Sequence, residues 1–308
     1  MIASESFLET VVERARAYVN DPDTEAKYTD DWVIRHCVMP AMTDVLARLN
    51  LSQDNPIINR ITLTLSTEDR YYQLPPCVGE VLEIGVYDSN WTLLQEAKPR
   101  DFLNPFQSGW RLEGNQLVIE PLPSSTDTAR VTNFQVSFIS NGQVYPHLSE
   151  DGGTLEEDAD GVHTVWLDPS PDKGALDRRP NAYVGQMIRL IPANGAVEER
   201  VIGSSGYTGG RFWVTTRSPF TEISAPQDTI KYEIAPQGHE ALYDAIALLV
   251  GYKLGVMCRR NESHLQGLQI LFRNSMKTIK DNLHTMQQRR PKRYAADTRD
   301  NDSYQYLF

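Results

Sequence analysis

The spacing of apolar residues changes twice along this sequence, and this change restricts the fold more than any other feature. Apolar residues recur every three or four positions over residues 5–19 and again after Thr29, as on one face of an amphipathic helix. From about Ile57 the spacing becomes two, which is typical of half-buried strands, and after Pro236 the helical spacing returns and persists to about Gln288. We therefore predict an α+β fold in which helices from both ends of the chain pack together as a bundle.

The two predicted N-terminal helices have recognisable ends. Residues 20–22 (Asn-Asp-Pro) favour a turn and end the first helix. Thr29 is an acceptable N-cap for the second, with the acidic side chains of Asp30 and Asp31 in its first turn. Pro40 lies inside this second helix and is expected to bend it, because proline has no amide hydrogen and its ring clashes with the preceding turn.

Short alternating segments in the middle of the chain predict two groups of strands. The first group, predicted to form an antiparallel β core, comprises residues 61–65, Val81–Tyr87, Gln116–Glu120 and Val131–Phe138. The second group, predicted to form a small barrel or sandwich, comprises Val162–Leu167, Tyr183–Ile191, Val197–Ile202, Arg211–Thr216 and Thr229–Ile234. Between them, residues 141–160 are polar and acidic and are predicted to be a linker or exposed loop, and the glycine-rich residues 203–210 are predicted to be a turn.

The C-terminal helical pattern is far longer than the average globular helix of about 11 residues. Glycines 251, 255 and 267 interrupt it and are expected to mark bends or close contacts. Two partners can cover the apolar stripe of its second half: the N-terminal helices, or the same helix in a neighbouring subunit. The stripe comprises Leu265, Leu268, Phe272, Met276, Ile279, Leu283 and Met286.

These patterns divide the chain into an N-terminal helical part (residues 1–56), a β core (57–140), an inserted β domain (141–235), a long C-terminal helix that packs with residues 1–56 (236–290) and an extended arm (291–308). The arm and the residues just before it are basic and aromatic, which suits docking on another chain, although a free end without a function is the alternative. The residues concerned are Arg289, Arg290, Lys292, Arg293, Tyr294, Tyr304, Tyr306 and Phe308.

The charge of the chain disfavours a protein that grips DNA. The sequence has 41 acidic and 30 basic residues, a formal net charge of −11, whereas phosphate binding depends on clustered lysine and arginine. The C-terminal end is locally basic, with basic residues at 289–293 and with Arg259 and Arg260 upstream. We therefore expect a protein or other local partner at the C-terminal end, and no tight DNA binding.

Membrane insertion and export are also not expected. The first residues are acidic where a signal peptide needs a basic start, and the longest apolar block, residues 245–250, is too short to span a membrane. The three cysteines, Cys37, Cys77 and Cys258, show no CxxC pairing. A soluble protein in a reducing compartment is the interpretation that these features favour.

No motif of enzyme or metal chemistry is complete. Residues 203–206 (Gly-Ser-Ser-Gly) lack the GxSxG spacing of a nucleophile elbow, and His239 has no second histidine at zinc-binding spacing. The acidic run from Glu156 to Gly161 places Leu167 where a calcium loop needs a glutamate. We therefore expect no enzymatic activity and no cofactor or metal.

The first part of the chain resembles a known family. Tyr72–Pro75, Val81–Tyr87, Pro99–Phe102, Trp110–Glu113 and Leu117–Pro123 are similar to the β core of phage head-to-tail adaptor proteins, the connector subunits that join the portal to the tail in short-tailed phages. In that pattern, the YxLP run starts a strand in extended conformation, and the PxP run closes a sheet edge because proline withholds amide donors.

Two later segments extend the resemblance. Ala241–Gly255, followed by Arg259, Leu271–Phe272, Met276 and Lys277, is similar to the long C-terminal helix of such adaptors. Residues 184–234 resemble a small β module that recurs in phage neck, tail and fibre proteins and that many plain adaptors lack.

The resemblance implies a structural virion protein. Such adaptors form a ring, usually of twelve copies, that lies below the portal and continues the channel through which DNA passes without tight or specific binding. The implied partners are other copies of the chain, the portal protein and tail nozzle, tube or fibre proteins. The implied location is the neck or tail of the virion, after assembly in the host cytoplasm, with the C-terminal arm docked on the portal.

Two alternatives are kept. A tail-tube or neck component would never contact the portal, whereas a virion-borne carbohydrate-binding or hydrolase module would use residues 160–235. The second alternative depends on the aromatic side chains of Trp166, Tyr183, Phe212 and Trp213, for which core packing on alternating strands is the simpler explanation.

Overall fold

The computed structural model describes residues 6–21, 26–50, 58–63, 68–87, 93–96, 109–120, 133–158, 161–174, 176–192, 197–237 and 239–288. It contains both helices and antiparallel strands, which confirms the predicted α+β class. Within these described residues, the buried apolar side chains form three clusters: one among the helices, one inside a β-barrel and one in the β core.

The first helix begins and ends at capping residues. Helix α1 spans Phe7–Val19, and the Ser6 hydroxyl accepts a hydrogen bond from the Glu9 amide at its N-terminus. Asn20 ends it in the left-handed conformation (φ 51°), which asparagine tolerates better than most residues. The prediction for residues 5–19 is therefore confirmed to within two residues.

The second helical segment is interrupted by a π-helical turn. Helix α2 spans Asp30–Val33, the π-helical turn spans Ile34–Val38, and helix α3 spans Met39–Asn50. Thr29 caps this segment, as predicted, by accepting from the Trp32 amide.

Pro40 accounts for the position of this wider turn. Proline cannot donate to the carbonyl four residues earlier and its ring presses on it, and that carbonyl belongs to His36, inside the π-helical turn. The Met39 amide bonds instead to the Ile34 carbonyl, five residues earlier. The irregularity expected at Pro40 thus takes the form of a π-helical turn.

The C-terminal helical pattern is two helices and not one. Helix α4 spans His239–Met257 and helix α5 spans Glu262–Gln288. Between them, Arg259 adopts a positive φ of 55°, and the Asn261 side chain caps α5 by accepting from the Ser263 amide. The prediction of one continuous helix was wrong because the apolar spacing continues across the turn, while the residues that stop and restart the helix are polar and common on helix surfaces.

The glycines of α4 permit close helix packing. A Cβ at Gly251 would lie 3.2 Å from the Tyr18 Cβ of α1. One at Gly255 would lie 2.8 Å from Leu265 of α5 and 3.2 Å from Val19 of α1. Helices from the two ends of the chain therefore meet at these glycines, and α5 packs against α4.

The β core contains two antiparallel sheets. Its strands are β1 (Ile58–Leu63), β2 (Tyr71–Gln73), β3 (Val78–Tyr87), β4 (Leu93–Glu96), β5 (Gly109–Glu113), β6 (Gln116–Glu120) and β7 (Asn133–Ser140). One sheet has the order β1-β7-β3-β4 and the other β2-β6-β5. Side chains from both sheets, including those of Tyr72 and Phe134, form the cluster between them.

The second group of strands forms a barrel, which decides between the two predicted alternatives. Its strands are β8 (His147–Glu157), β9 (His163–Leu167), β10 (Lys173–Gly174), β11 (Met187–Ile191), β12 (Glu198–Thr208), β13 (Arg211–Thr216) and β14 (Gln227–Ala235). The sheet order is β10-β8-β14-β11-β12-β13-β9, and the additional pairing of β8 with β9 closes six of these strands into a barrel.

The prediction that residues 141–160 form a linker or exposed loop was wrong. Most of this segment is β8, and Leu148 and Leu155 are fully buried. Its glycines serve close strand packing, because a Cβ at Gly153 would lie 2.6 Å from the Tyr232 ring and 2.7 Å from the Ile230 carbonyl oxygen. From composition alone, such glycines are assigned to loops. The strand on which Gly153 packs is β14, about 80 residues later in the chain, so no neighbouring residue reveals the contact.

Two smaller predictions in the barrel also need correction. The glycine-rich residues 203–210 were expected to form a turn, but only Gly209 and Gly210 do so, and the rest belongs to β12. The strand expected to begin at Tyr183 begins at Met187, because residues 181–185 form a turn that ends with Gly185 at a φ of 79°.

Replacing Gly153 distinguishes a packed strand from a solvated linker. We expect Gly153→Ala to lower the free energy of unfolding by about 1–3 kcal/mol, because the new methyl group meets backbone that cannot move aside. The matched control is Gly267→Ala in α5, where no atom lies within 4 Å of the added Cβ, and it should raise stability by about 0.5–1 kcal/mol. Urea unfolding followed by circular dichroism measures both, and a neutral Gly153→Ala would contradict the assignment.

Candidate assembly surfaces

A buried carboxylate joins the helices to the barrel. Glu233 of β14 is fully buried, and its oxygens accept hydrogen bonds from the Phe7 and Leu8 amides in the first turn of α1. The Ser6 hydroxyl donates to the same carboxylate, and Arg189 Nη1 of β11 lies 2.7 Å from it. The first amides of a helix lack partners within the helix and carry partial positive charge, so Glu233 satisfies them while Arg189 balances its charge.

Further polar contacts surround this carboxylate. Glu9 of α1 lies 2.6 Å from Lys173 Nζ and 3.4 Å from Lys231 Nζ. Burial alone would raise the pKa of the Glu9 carboxyl, but the hydrogen bonds and charges of the two lysines together hold this pKa below its ordinary value. The Gly174 amide donates to the Asp31 side chain of α2. The first two helices are thus bonded to β10 and β14 of the barrel.

Sequence reasoning missed Glu233. Along β14, Ile230, Tyr232 and Ile234 face the barrel interior, so Lys231 and Glu233 lie on the outer face. A charged residue on the outer face of a strand is ordinary, and only the position of α1 shows that this part of the barrel surface is covered. The sequence contains no local signal for such a contact.

The predicted apolar stripe of α5 lies largely in the core of the same chain. Leu268, Phe272, Met276 and Ile279 are buried in the helical cluster, and Leu265 is half-buried against Gly255. The helix continues through residues 283 and 286, but the side chains of Leu283 and Met286 lie outside the described residues. These buried positions need no neighbouring subunit to cover them.

The remaining faces of α5 are exposed and differ from each other. Ile270 and Leu271 are 57% and 51% exposed, although both are large and apolar. Ile270 lies three residues before Arg273 and seven before Lys277, so it shares one exposed side of the helix with Arg273, Lys277 and Lys280. Helix α5 therefore has one buried apolar face and one basic face, which includes Ile270, while the exposed Leu271 projects about 100° away from Ile270.

The basic face borders an open groove of about 530 Å³ between α3 and α5. Arg48 of α3 lines it together with the three cations and Asp281 of α5, and the Arg48 guanidinium lies 5.4 Å from the centre of the Phe272 ring. A second, smaller cavity of about 20 Å³ lies where α3, the β core and the barrel meet, and Asn59, Cys77 and Gly185 are among its lining residues. It has room for about one water molecule.

Two tryptophans lie side by side on the outside of the barrel. Trp166 and Trp213 are directly opposite each other on β9 and β13, and neither belongs to the barrel core. Arg211 lies 4.5 Å from the centre of a Trp166 ring, and the Trp213 ring lies against Gly206. Core packing is therefore the wrong explanation for this pair.

The other two aromatic residues of that set are core residues. Tyr183 is 1% and Phe212 is 5% exposed, and both belong to the barrel cluster. For these two, the interpretation from alternating strands is confirmed.

The predicted arm and the two arginines just before it lie outside the described residues. The predicted docking residues there are Arg289, Arg290, Lys292, Arg293, Tyr294, Tyr304, Tyr306 and Phe308. Within the described residues, no group of three or more histidine, cysteine, aspartate or glutamate side chains is placed to hold a metal ion. None of the described helices combines the length and apolar character needed to cross a membrane.

Comparison of the sequence with family models and with curated proteins found no match. The surfaces above are therefore the basis for a functional proposal.

The Glu233 contact predicts a large loss of stability on removal of one charge. Glu233→Gln weakens the bonds to the first amides of α1 and leaves Arg189 with Glu199 as its remaining carboxylate, so we expect the free energy of unfolding to fall by about 1.5–3 kcal/mol. Asp244→Asn is the matched control, because its ion pair with Arg14 also joins α1 to another element but is exposed, and it should cost at most about 1 kcal/mol. Equal losses in urea unfolding would contradict a central role for Glu233.

A buried histidine makes stability depend on pH. His147 of β8 lies between the rings of Tyr183 and Tyr232, and its Nδ1 is 3.2 Å from the Tyr145 carbonyl oxygen. Its Nε2 is buried with no hydrogen-bond partner among the described residues. Burial lowers the pKa of His147 from 6.5 to about 4.

The lowered pKa of His147 means that the unfolded chain takes up a proton at a pH where the folded chain does not. Stability should therefore fall as the pH falls from about 6.5 to about 4. Between pH 7.5 and 5, we expect a loss of about 2 kcal/mol from this residue alone. His147→Gln should remove that part of the loss in urea unfolding, whereas His264→Gln, at an exposed histidine, should keep it. An unchanged pH dependence in His147→Gln would refute this assignment.

Proposed function

We propose that this chain is a structural virion protein that works as one copy in a ring, joining the portal to the tail and continuing the DNA channel. The observation that best supports the proposal is the exposed side of α5, which carries the large apolar residues Ile270 and Leu271 and three cations on a helix whose other side is buried. Large apolar side chains that are exposed on a helix favour contact with another polypeptide. The same helix leads directly into the basic and aromatic arm.

A ring fits the division of the chain into firmly joined parts. The Glu233 contact holds the barrel against the helices, so each subunit can present different faces on different sides. A closed ring, for which we propose twelve copies, needs contacts between unlike faces of neighbouring subunits. In this proposal the helices and the arm after Arg289 face the portal, and the barrel faces tail nozzle, tube or fibre proteins.

DNA passes through the lumen of the proposed ring without being gripped. The net charge of −11 supports this, because a strongly basic wall would retain the phosphates. We place the assembled protein in the neck or tail of the virion and propose no enzymatic activity, cofactor or membrane partner.

A carbohydrate-binding module on the virion is the second candidate, and the outward Trp166–Trp213 pair favours it. Sugar rings stack on exposed aromatic faces, but Arg211 lies over Trp166 and the Trp213 ring packs on Gly206. These contacts cover one face of each ring, and they favour a cross-strand pair that stabilises the sheet. The carbohydrate-binding module would be supported instead if the wild-type chain binds sugars on a glycan array and the Trp213→Ala variant does not.

Electron microscopy of the full chain tests the proposed function. We expect negatively stained micrographs to show rings when the chain is mixed with portal rings of the same phage, and these rings should lie on one end of the portal. A chain ending at residue 290 lacks the arm, so it should lose portal binding while its circular dichroism spectrum and thermal unfolding stay unchanged.

The outcomes separate the alternatives. Rings that never attach to the portal would favour a tail-tube or neck component, and full portal affinity in the shortened chain would contradict the role of the arm. A chain that stays monomeric with and without the portal would refute the ring itself.

A further inference from the structure

Two arginines lie next to each other where the β core meets the barrel. Arg60 belongs to β1, and Arg217 directly follows β13. Both residues are exposed, and Arg217 Nη2 donates a hydrogen bond to the Arg60 carbonyl oxygen at 3.2 Å. The loss of water around the Arg217 guanidinium, and then the positive charge of Arg60, lower the pKa of Arg217 below its ordinary value. The charges of the two arginines therefore repel each other.

No carboxylate compensates this repulsion among the described residues. Neither Arg60 nor Arg217 lies within ion-pair distance of a described aspartate or glutamate side chain. Glu83 of β3 is on the same face of the β-core sheet as Arg60, two strands away, and it accepts a hydrogen bond from the Ser137 hydroxyl of the strand between them. Two like charges that are held together without a counter-ion indicate an anionic ligand.

The barrel strands hold Arg217 in place. The Arg217 amide donates to the Val201 carbonyl oxygen at 2.9 Å, beside a β-bulge at Gly203 of β12. A Cβ at Gly203 would lie 3.4 Å from Cγ of Arg217, so the Arg217 side chain lies along this bulge. Bulges bend a strand and redirect neighbouring side chains, and they are common next to functional sites. The bulge thus helps direct Arg217 towards Arg60.

The barrel also fixes the position of β1. Asn59, the residue before Arg60, is buried, and a Cβ at Gly185 in the barrel turn would collide with the Asn59 side chain. The backbone of β1 is therefore in close contact with the barrel at this point. Arg60 and Arg217 are both attached to packed strands, so a ligand between them would find its donors already in position.

We propose that Arg60 and Arg217 bind an oxyanion of the phosphate class at the junction between the β core and the barrel. Each guanidinium presents a planar fork of donors that matches phosphate oxygens. A phosphate monoester carries a charge of about −1.5 to −2 at pH 7 and three acceptor oxygens, so it can neutralise both arginines at once. A single carboxylate would neutralise only one of them. This inference goes beyond the proposed ring and does not depend on it.

Two sources can supply this oxyanion: free phosphate or a phosphate monoester, and the phosphodiester backbone of DNA. The chemistry of the site is the same for both. On a chain with a net charge of −11, one pair of arginines is too little to hold a duplex tightly. We therefore expect free phosphate to bind and a DNA duplex to bind weakly or not at all at physiological salt.

Phosphate titration of the full chain tests the site. Phosphorus nuclear magnetic resonance measures binding of inorganic phosphate, with chloride keeping the ionic strength constant. We expect a dissociation constant in the millimolar range for the wild type. Arg60→Gln and Arg217→Gln should each weaken binding by about tenfold or more, because each removes one of two charged donors. Phosphate should also raise the thermal unfolding temperature of the wild type, since it binds the folded chain.

Two controls separate binding from folding. Arg35→Gln removes the same charge from an exposed arginine that is paired with Asp31, and it should leave phosphate binding unchanged. Without phosphate, Arg60→Gln should keep or raise the thermal unfolding temperature, because it removes a repulsion. A lower unfolding temperature would show that Arg60 has a stabilising partner within the chain and would count against the site.

The outcomes distinguish the possible ligands. Phosphate binding that falls in both variants and persists in Arg35→Gln supports the proposal. Fluorescence anisotropy of a labelled duplex then identifies the source: duplex binding that needs the same two arginines indicates the DNA backbone, and its absence indicates a free phosphate. The proposal is overturned by an absence of phosphate binding, by binding that is unchanged in both variants, or by acetate that binds as tightly as phosphate. The last result would indicate a carboxylate of another polypeptide.

Discussion

The structure depends on one buried carboxylate that connects the start of the chain to its middle. Glu233 accepts hydrogen bonds from the first amides of α1, across a separation of 226 residues, and pairs with the buried Arg189. Removing a carboxylate from water is costly, and here the amides at a helix N-terminus and a guanidinium offset that cost. Because α1 also packs on α4, the same contact holds the helices from both ends of the chain against the barrel.

This arrangement determines which surfaces remain for other molecules. Gly251 and Gly255 let α1, α4 and α5 approach closely, and Leu268, Phe272, Met276 and Ile279 of the predicted α5 stripe are buried within the subunit. The exposed residues of α5 include Ile270, Leu271 and the three cations of the basic face. The proposed ring depends on this division of one helix into a covered and an uncovered side.

Sequence reasoning was reliable where one local pattern decides the structure. The alternation of side chains located β6 at Gln116–Glu120 and β13 at Arg211–Thr216 to the residue, and Thr29 was the expected cap. It failed where the partner lies far along the chain. Gly153 belongs to a strand because Tyr232 packs on it, and the outward position of Trp166 and Trp213 becomes visible only once the barrel is closed.

The sequence by itself determined the types of the elements and their order, because a spacing of two or of about 3.6 is a property of neighbouring residues. It also determined the charge that disfavours tight DNA binding. Only the tertiary structure showed that residues 147–157 form a strand instead of a linker and that the C-terminal helical segment is divided into two helices near Arg259. It also showed that Glu233 is buried and joins the helices to the barrel. The physical reason is that a residue is buried only when a second surface covers it, and in each of these cases the covering surface comes from a distant part of the chain.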